Sequence, residues 1–322
     1  MKQHTLGGAG GLDVSALCLG VMTFGTAVDE ATSFAILDRF TEAGGTFIDT
    51  ANNYGVWAGG RTGDESERLL GRWLESRRAR DRVVLATKAG ARAIPARGPS
   101  WPANAEGLAA PTVRAALDDS LRRLGTDHVD LYYAHIDDRA TPLPETVAVF
   151  AELVGQGKAV LAGASNYAVA RLRQARDLAA ARGLPPYRVL QQRHSYLRPR
   201  PAADFGVQEY ATDSLLSYVD QAPDLSLVAY SPLLGGSYGR PDRPVPPEYD
   251  HSGTTPARTA VASAARDLGV TANQLVLAWM LASRPPVTPV IGVSSLTQLD
   301  QALAATTLTL DPTTLHTLNK AR

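Results

Sequence analysis

From residue 16 onward, apolar runs of three to six residues alternate with longer segments whose apolar positions recur every three or four residues. The short runs suit strands buried on both faces, the longer segments suit amphipathic helices, and the alternation predicts repeated βα units. Strands are predicted over 16–19, 46–49, 83–87, 129–134, 159–162, 188–190, 227–230 and 287–291. Helices are predicted over 30–42, 65–75, 112–124, 143–155, 168–181, 213–219, 259–268 and 296–304, with 272–281 as an extra one. Eight strand and helix pairs describe an α/β chain folded as a (β/α)8 TIM barrel, with residues 1–322 forming one domain. The glycine-rich stretch 5–15 suits an N-terminal β-hairpin closing the bottom of the barrel, and 233–256, rich in Gly and Pro, reads as a long functional loop after strand seven.

Composition narrows the partners without naming them. Of 322 residues, 32 are basic and 32 acidic, so no global field favours nucleic acid or an anionic membrane, and any anion must be held locally. The single cysteine, Cys18, forms no internal disulfide and reads as a small buried hydrophobe. Residues 1–10 lack the apolar stretch of a secretory leader, and the apolar run 275–282 is far shorter than the roughly 20 residues of a membrane span. A cytoplasmic protein without a membrane partner is expected, as a monomer or a homo-oligomer. The glycines at 8 and 10 do not complete a dinucleotide fingerprint, because Asp13 holds the third position and no strand precedes them. No P-loop, no Gly-x-Ser-x-Gly elbow and no metal-ligand spacing of His or Cys is present.

In such a barrel the site gathers at the C-terminal ends of the strands, where polar residues here are plentiful. Asp49 ends the second strand and Tyr54 follows it; Lys88, His135 and Ser165-Asn166 end the next three. Each also has a plain structural use: a helix cap for Asp49, a surface aromatic for Tyr54, a solvated charge for Lys88 and a satisfied core histidine for His135. If they converge, they form a proton-donating device. A tyrosine of ordinary pKa about 10 needs help near neutrality, and a shielded lysine ammonium could lower it by about two, or roughly 2.7 kcal/mol. Asp49 would orient Lys88, and His135 would orient a substrate carbonyl. A Schiff-base use of Lys88, as in barrel aldolases, is the rival chemistry.

The motifs decide against that rival by resemblance. The segment Gly44-Gly45-Thr46-Phe47-Ile48-Asp49-Thr50-Ala51-Asn52-Asn53-Tyr54-Gly55, with Ala86-Thr87-Lys88 and Val129-Asp130-Leu131-Tyr132-Tyr133-Ala134-His135, resembles the aldo-keto reductases, and the similarity runs from about Leu6 to the end. The resemblance implies Asp49, Tyr54, Lys88 and His135 as the catalytic group and an NADPH/NADP+ cofactor, with NADH as the alternative. It also implies that Ser165, Asn166 and Gln191 hold the nicotinamide amide. Tyr230 stacks on the ring, Ser231, Pro232, Leu233 and Gly235 approach the pyrophosphate, and Ile291, Gly292, Ser294 and Gln298 hold the adenosine end. Gly20, Met22 and Asp49 border the same cofactor in that reading.

Three departures bear on the cofactor. Ser294 stands where many members carry a cation for the 2′-phosphate, although the Gly-Val-Ser-Ser form resembles the branch of potassium-channel β-subunits, which bind NADP(H). Ala302 replaces a frequent asparagine, and Gln192-Arg193-His194 replaces the more usual Asn-Glu-Tyr. The expected function is reduction of a small aldehyde or ketone by hydride transfer, with Tyr54 as proton donor. The alternative is a cofactor-sensing binding subunit, a branch that typically has asparagine in place of His135. For substrate contacts, Val21, Met22, Phe24 and Trp57 suit apolar walls or barrel packing, and Tyr238, Arg240 and Tyr249 suit a cofactor border or an ordinary loop.

Overall fold

The computed structural model describes residues 1–56, 58–59, 62–240 and 242–322. β1 (Gln3–Leu6) and β2 (Leu12–Ser15) form an antiparallel hairpin. The chain then alternates through β3 (Cys18–Gly20), α1 (Glu30–Glu42), β4 (Phe47–Asp49), α2 (Glu65–Arg77), β5 (Val84–Ala89), α3 (Ala110–Leu124) and β6 (Val129–Ala134). It continues with α4 (Leu143–Gly155), β7 (Ala159–Ser165), α5 (Val169–Ala181), β8 (Val189–Arg193), α6 (Asp213–Gln221) and β9 (Ser226–Tyr230). α7 (Thr254–Asp267), α8 (Ala272–Leu281), β10 (Val287–Ile291), α9 (Leu296–Ala305) and α10 (Pro312–Ala321) complete it. β3 to β10 pair in parallel, each with its chain neighbours, and β10 closes on β3, giving the (β/α)8 barrel with its N-terminal hairpin.

Two-residue alternation along the strands divides the core. Leu19, Ile48, Leu85, Tyr132, Ala162, Leu190 and Ala229 face outward and pack in the layer shared with the helices. Cys18, Phe47, Ala86, Leu131, Tyr133, Leu161, Val189 and Val228 face the lumen, where Leu6 and Val14 of the hairpin join them as a plug. The hairpin turn passes close beneath β9. At Gly8, with φ of +72°, an added Cβ would lie 2.4 Å from the Pro223 carbonyl oxygen. One step of the same parity above the plug come Gly20, Asp49, Lys88, His135, Gln191 and Tyr230, and two steps above it, past Gly163, comes Ser165. Strand periodicity alone therefore turns these residues into the lumen at its C-terminal mouth.

The structure shifts several predicted boundaries. α7 begins at Thr254 rather than 259, because Pro256 sits in its first turn, where no intrahelical N–H bond is lost. The predicted loop 233–256 is correspondingly shorter and contains 3-10 turns at Leu234–Gly236 and Pro247–Tyr249. α10 was not anticipated, although Asp311 caps it by accepting the backbone N–H groups of Thr313 and Thr314, with Pro312 next. No helix among the described residues is long and apolar enough to cross a membrane.

Candidate active site

Lys88 is the hub of the mouth. Its ammonium is fully buried and donates to Asp49 Oδ1, to the Thr50 carbonyl oxygen at 2.8 Å and to the Tyr54 hydroxyl at 3.0 Å. Its three donors are all used, and the Tyr54 oxygen accepts one of them. Asp49 completes its bonding across the lumen, its Oδ2 accepting from Gln191 Nε2 at 2.9 Å. The Tyr133 ring lies beneath, 5.7 Å from Lys88 Nζ, and the Tyr54 ring centroid is 4.9 Å from the same nitrogen. Tyr54 and His135 meet edge to face, with ring centroids 5.9 Å apart.

Electrostatics refine the expected device. Burial is the largest single influence on Lys88 and pulls its pKa down, but the Asp49 charge and the Tyr54 and Asp49 hydrogen bonds outweigh it, and the net direction is upward. A charged lysine with every donor engaged is the opposite of a Schiff-base nucleophile. The phenol does not move as the sequence suggested. Burial raises the Tyr54 pKa above its ordinary value, Asp49 adds to the rise, and the opposing pull of Lys88 offsets only part of it. Tyr54 therefore holds its proton firmly at neutral pH. Burial, then the Lys88 charge, holds the His135 imidazole well below its ordinary pKa, so the ring is neutral, and its buried Nδ1 has no hydrogen-bond partner.

The residues assigned to a cofactor lie around this group on the same rim. Asn166 has a left-handed φ of +60°; its Nδ2 donates to the His135 carbonyl oxygen at 2.9 Å, and its Oδ1 accepts from the Tyr230 hydroxyl at 2.7 Å. Ser165 Oγ accepts a second bond from that amide at 3.1 Å. Ser231 and Leu234 also hold positive φ, strain gathered where β9 leaves the barrel, and the Pro232 carbonyl oxygen accepts from Ser195 Oγ at 2.6 Å. Gly235 and Gly292 have open space where a side chain would stand. At the start of α9 the Ser294 N–H donates to Gln298 Oε1 at 2.8 Å while Ser295 caps the helix, and both Ser294 and Gln298 are exposed. Ile291 and Ala302 are buried in the core, and Gly20 lies against Val290. Met22 is exposed, Val21 and Phe24 are fully buried packing residues, and Trp57 lies outside the described residues.

A family model described as "Aldo/keto reductase family" matches residues 16–322. The chain belongs to the aldo/keto reductase family. It is 33% identical to the uncharacterized oxidoreductase YrpG of Bacillus subtilis (strain 168), over 98% of this chain and 95% of that one. It is 29% identical to the aryl-alcohol dehydrogenase GME11368 of Pestalotiopsis microspora, over 90% of this chain and 74% of that one. The crystal structure of the thermostable aldo-keto reductase Tm1743 in complex with the inhibitor epalrestat superposes with a TM-score of 0.77 at 25% identity, covering all of both chains.

Several contacts of this aldo-keto reductase were not visible in its sequence. Glu106 is buried in the loop after β5, and its Oε1 accepts from Asn52 Nδ2 at 2.8 Å and from the Gly90 N–H at 2.6 Å. It thereby ties the loop carrying Tyr54 to the strand end carrying Lys88. Arg193 lies over the Phe205 ring at 4.8 Å and the Tyr230 ring at 5.7 Å. Trp101 is 48% exposed while its Nε1 is fixed to the Ala91 carbonyl oxygen at 3.0 Å; the same oxygen accepts from Asn53, beside Tyr54, at 3.3 Å. Glu106 and Trp101 lie in a stretch without hydrophobic period, so only the departure of Arg193 from the family pattern offered a signal.

Proposed function

We propose that this aldo-keto reductase reduces an aldehyde or ketone to an alcohol with NADPH, Tyr54 being the proton donor and His135 the residue that orients the carbonyl. The observation that carries the reading is the direction of bonding at Tyr54. Lys88 donates to the phenol oxygen, so the phenol is an acceptor toward the lysine and the proton donor toward a substrate. A raised phenol pKa keeps that proton in place until the carbonyl oxygen becomes basic, and Lys88 then stabilises the phenolate left behind. In its Nε2–H tautomer the neutral His135 would be a second donor for the same oxygen.

A reduced nicotinamide, when bound, supplies the hydride to the carbonyl carbon. The residues present fit such a group. Ser165, Asn166 and Tyr230 offer amide, hydroxyl and ring chemistry at one rim, and the open backbone at Gly235 and Gly292 allows close approach. The capped N-terminus of α9 favours a phosphate nearby. NADPH is preferred to NADH by resemblance to the β-subunit branch, and Ser294 in place of a cation makes that preference a matter of measured dissociation constants. Exposed Trp101 and Met22, and the aryl-alcohol dehydrogenase among the relatives, support an aromatic carbonyl as substrate.

The test is NADPH oxidation with aromatic and straight-chain carbonyls by the wild type and by Tyr54→Phe. We expect kcat to fall by about 10²–10⁴-fold in the variant, with cofactor binding retained. Undiminished turnover by Tyr54→Phe would remove Tyr54 as the acid, and equal affinity for NADPH and NADH would remove the cofactor preference.

A further inference from the structure

Asp49 and Gln191 stand on β4 and β8, four strands apart in a ring of eight, so their hydrogen bond crosses the full width of the lumen. Both residues are buried, at 1% and 3% exposure. The NH2 group of the Gln191 amide, and not its carbonyl, faces Asp49, whose Oδ2 accepts from it. The two carboxylate oxygens of Asp49 are thus divided, Oδ1 to Lys88 and Oδ2 to Gln191. With the lysine alone, the carboxylate could pivot about its terminal torsion, which has a broad profile, and carry the ammonium with it. A second bond from the opposite wall fixes its plane, and the ammonium in turn meets the Tyr54 hydroxyl at 3.0 Å.

We infer that Gln191 is a positioning residue of the proton relay, holding Asp49 from across the lumen so that Lys88 meets the Tyr54 hydroxyl, a role separate from any contact of its amide with a cofactor. The inference rests on the proton-donor reading of Tyr54. The amide N–H dipole also absorbs part of the Asp49 field, and Asp49 is one of the groups that push the phenol upward. The sign follows directly. Without Gln191 the phenol feels more of the carboxylate, and its proton is held to higher pH.

The experiment uses the full chain with Gln191→Leu and, as a second variant of similar length without a donor, Gln191→Met. Three quantities are measured: cofactor dissociation constants by fluorescence without turnover, the pH profile of kcat, and the phenolate absorbance of Tyr54 in cofactor-free protein, taken as a difference against Tyr54→Phe. We expect kcat at saturating cofactor to fall about 10- to 100-fold, the scale of one hydrogen bond to a charged group, whatever the change in the cofactor dissociation constant. The alkaline limb of kcat and the Tyr54 titration should both move up by about half to one pH unit. A dissociation constant raised tenfold or more with kcat intact would assign Gln191 to the cofactor and overturn the inference, as would an alkaline limb and a titration that stay in place or move down. Absence of carbonyl turnover in the wild type would strike the proposed function alone, because the cofactor-free titration still reports on the relay.

Discussion

The two halves of the barrel lumen are built from the same strands and the same face of those strands, yet they hold opposite chemistry. At the bottom, Phe47, Ala86, Leu131, Leu161, Val189 and Val228 pack with Leu6 and Val14 of the hairpin into a dry plug. A few residues further along the strands, Asp49, Lys88, His135, Ser165, Gln191 and Tyr230 form a polar layer joined by hydrogen bonds. The difference teaches that strand parity decides only which residues meet, while the order of residues along each strand decides whether the meeting place is a core or a site. The plug supplies rigidity without polar demand. Above it, the buried Lys88 and Asp49 are sustained only by being paired and bonded to their neighbours.

The comparison can be broken from the top. Lys88→Met leaves the Asp49 charge buried without its cation, and we expect a loss of about 3–5 kcal/mol in urea unfolding together with loss of carbonyl reduction. The double variant Asp49→Leu, Lys88→Met converts this part of the mouth into more plug. It should regain most of that stability while activity stays lost. If the double variant is no more stable than the single one, the two halves do not differ in the way described.

The plug gives the converse and somewhat smaller effect. Leu6 is fully buried at the closed end and touches none of the site residues through a hydrogen bond of its side chain. Leu6→Ala should cost about 2–4 kcal/mol in the same unfolding measurement and leave kcat per folded molecule unchanged. A fall in kcat as large as that of a mouth variant would show that plug and site are one cooperative unit.

The sequence was legible where a single rule acts on neighbouring residues. Alternating apolar runs and helical segments marked all eight barrel strands, and the polar residue closing each run pointed to Asp49, Lys88 and His135. What stayed hidden depends on distance or on balance. Gln191 reaches Asp49 across 142 residues of chain, and no local pattern announces a bond between opposite walls. Glu106 and Trp101 come from an aperiodic loop, where sequence carries little information about which side chain returns to the site. The Tyr54 pKa moves against the sequence expectation because burial and a nearby cation oppose each other, and a sequence shows that both groups exist but not which prevails. α10 was missed although its cap residues were in view, because its apolar stripe is short.

The boundary between the halves offers the smallest and sharpest probe. Gly163 lies on the lumen face between Leu161 of the plug and Ser165 of the mouth, and a Cβ there would stand 2.5 Å from Tyr133 Cδ1 and 3.0 Å from the Val189 carbonyl oxygen. The Tyr133 ring would have to shift, and it forms the floor beneath Lys88. Gly163→Ala should therefore cost about 1–3 kcal/mol as overpacking. Unlike Leu6→Ala, it should also lower kcat, by roughly two- to tenfold, because displacing Tyr133 disturbs the ammonium that meets Tyr54. A stability loss with kcat intact would place the whole effect in the plug and make Tyr133 packing alone. A fall in kcat that Tyr133→Phe does not share would separate the ring, which both side chains have, from the hydroxyl, which is buried beside Gln191 without a well-formed hydrogen bond. Either result locates the line at which packing gives way to chemistry to within one residue on β7.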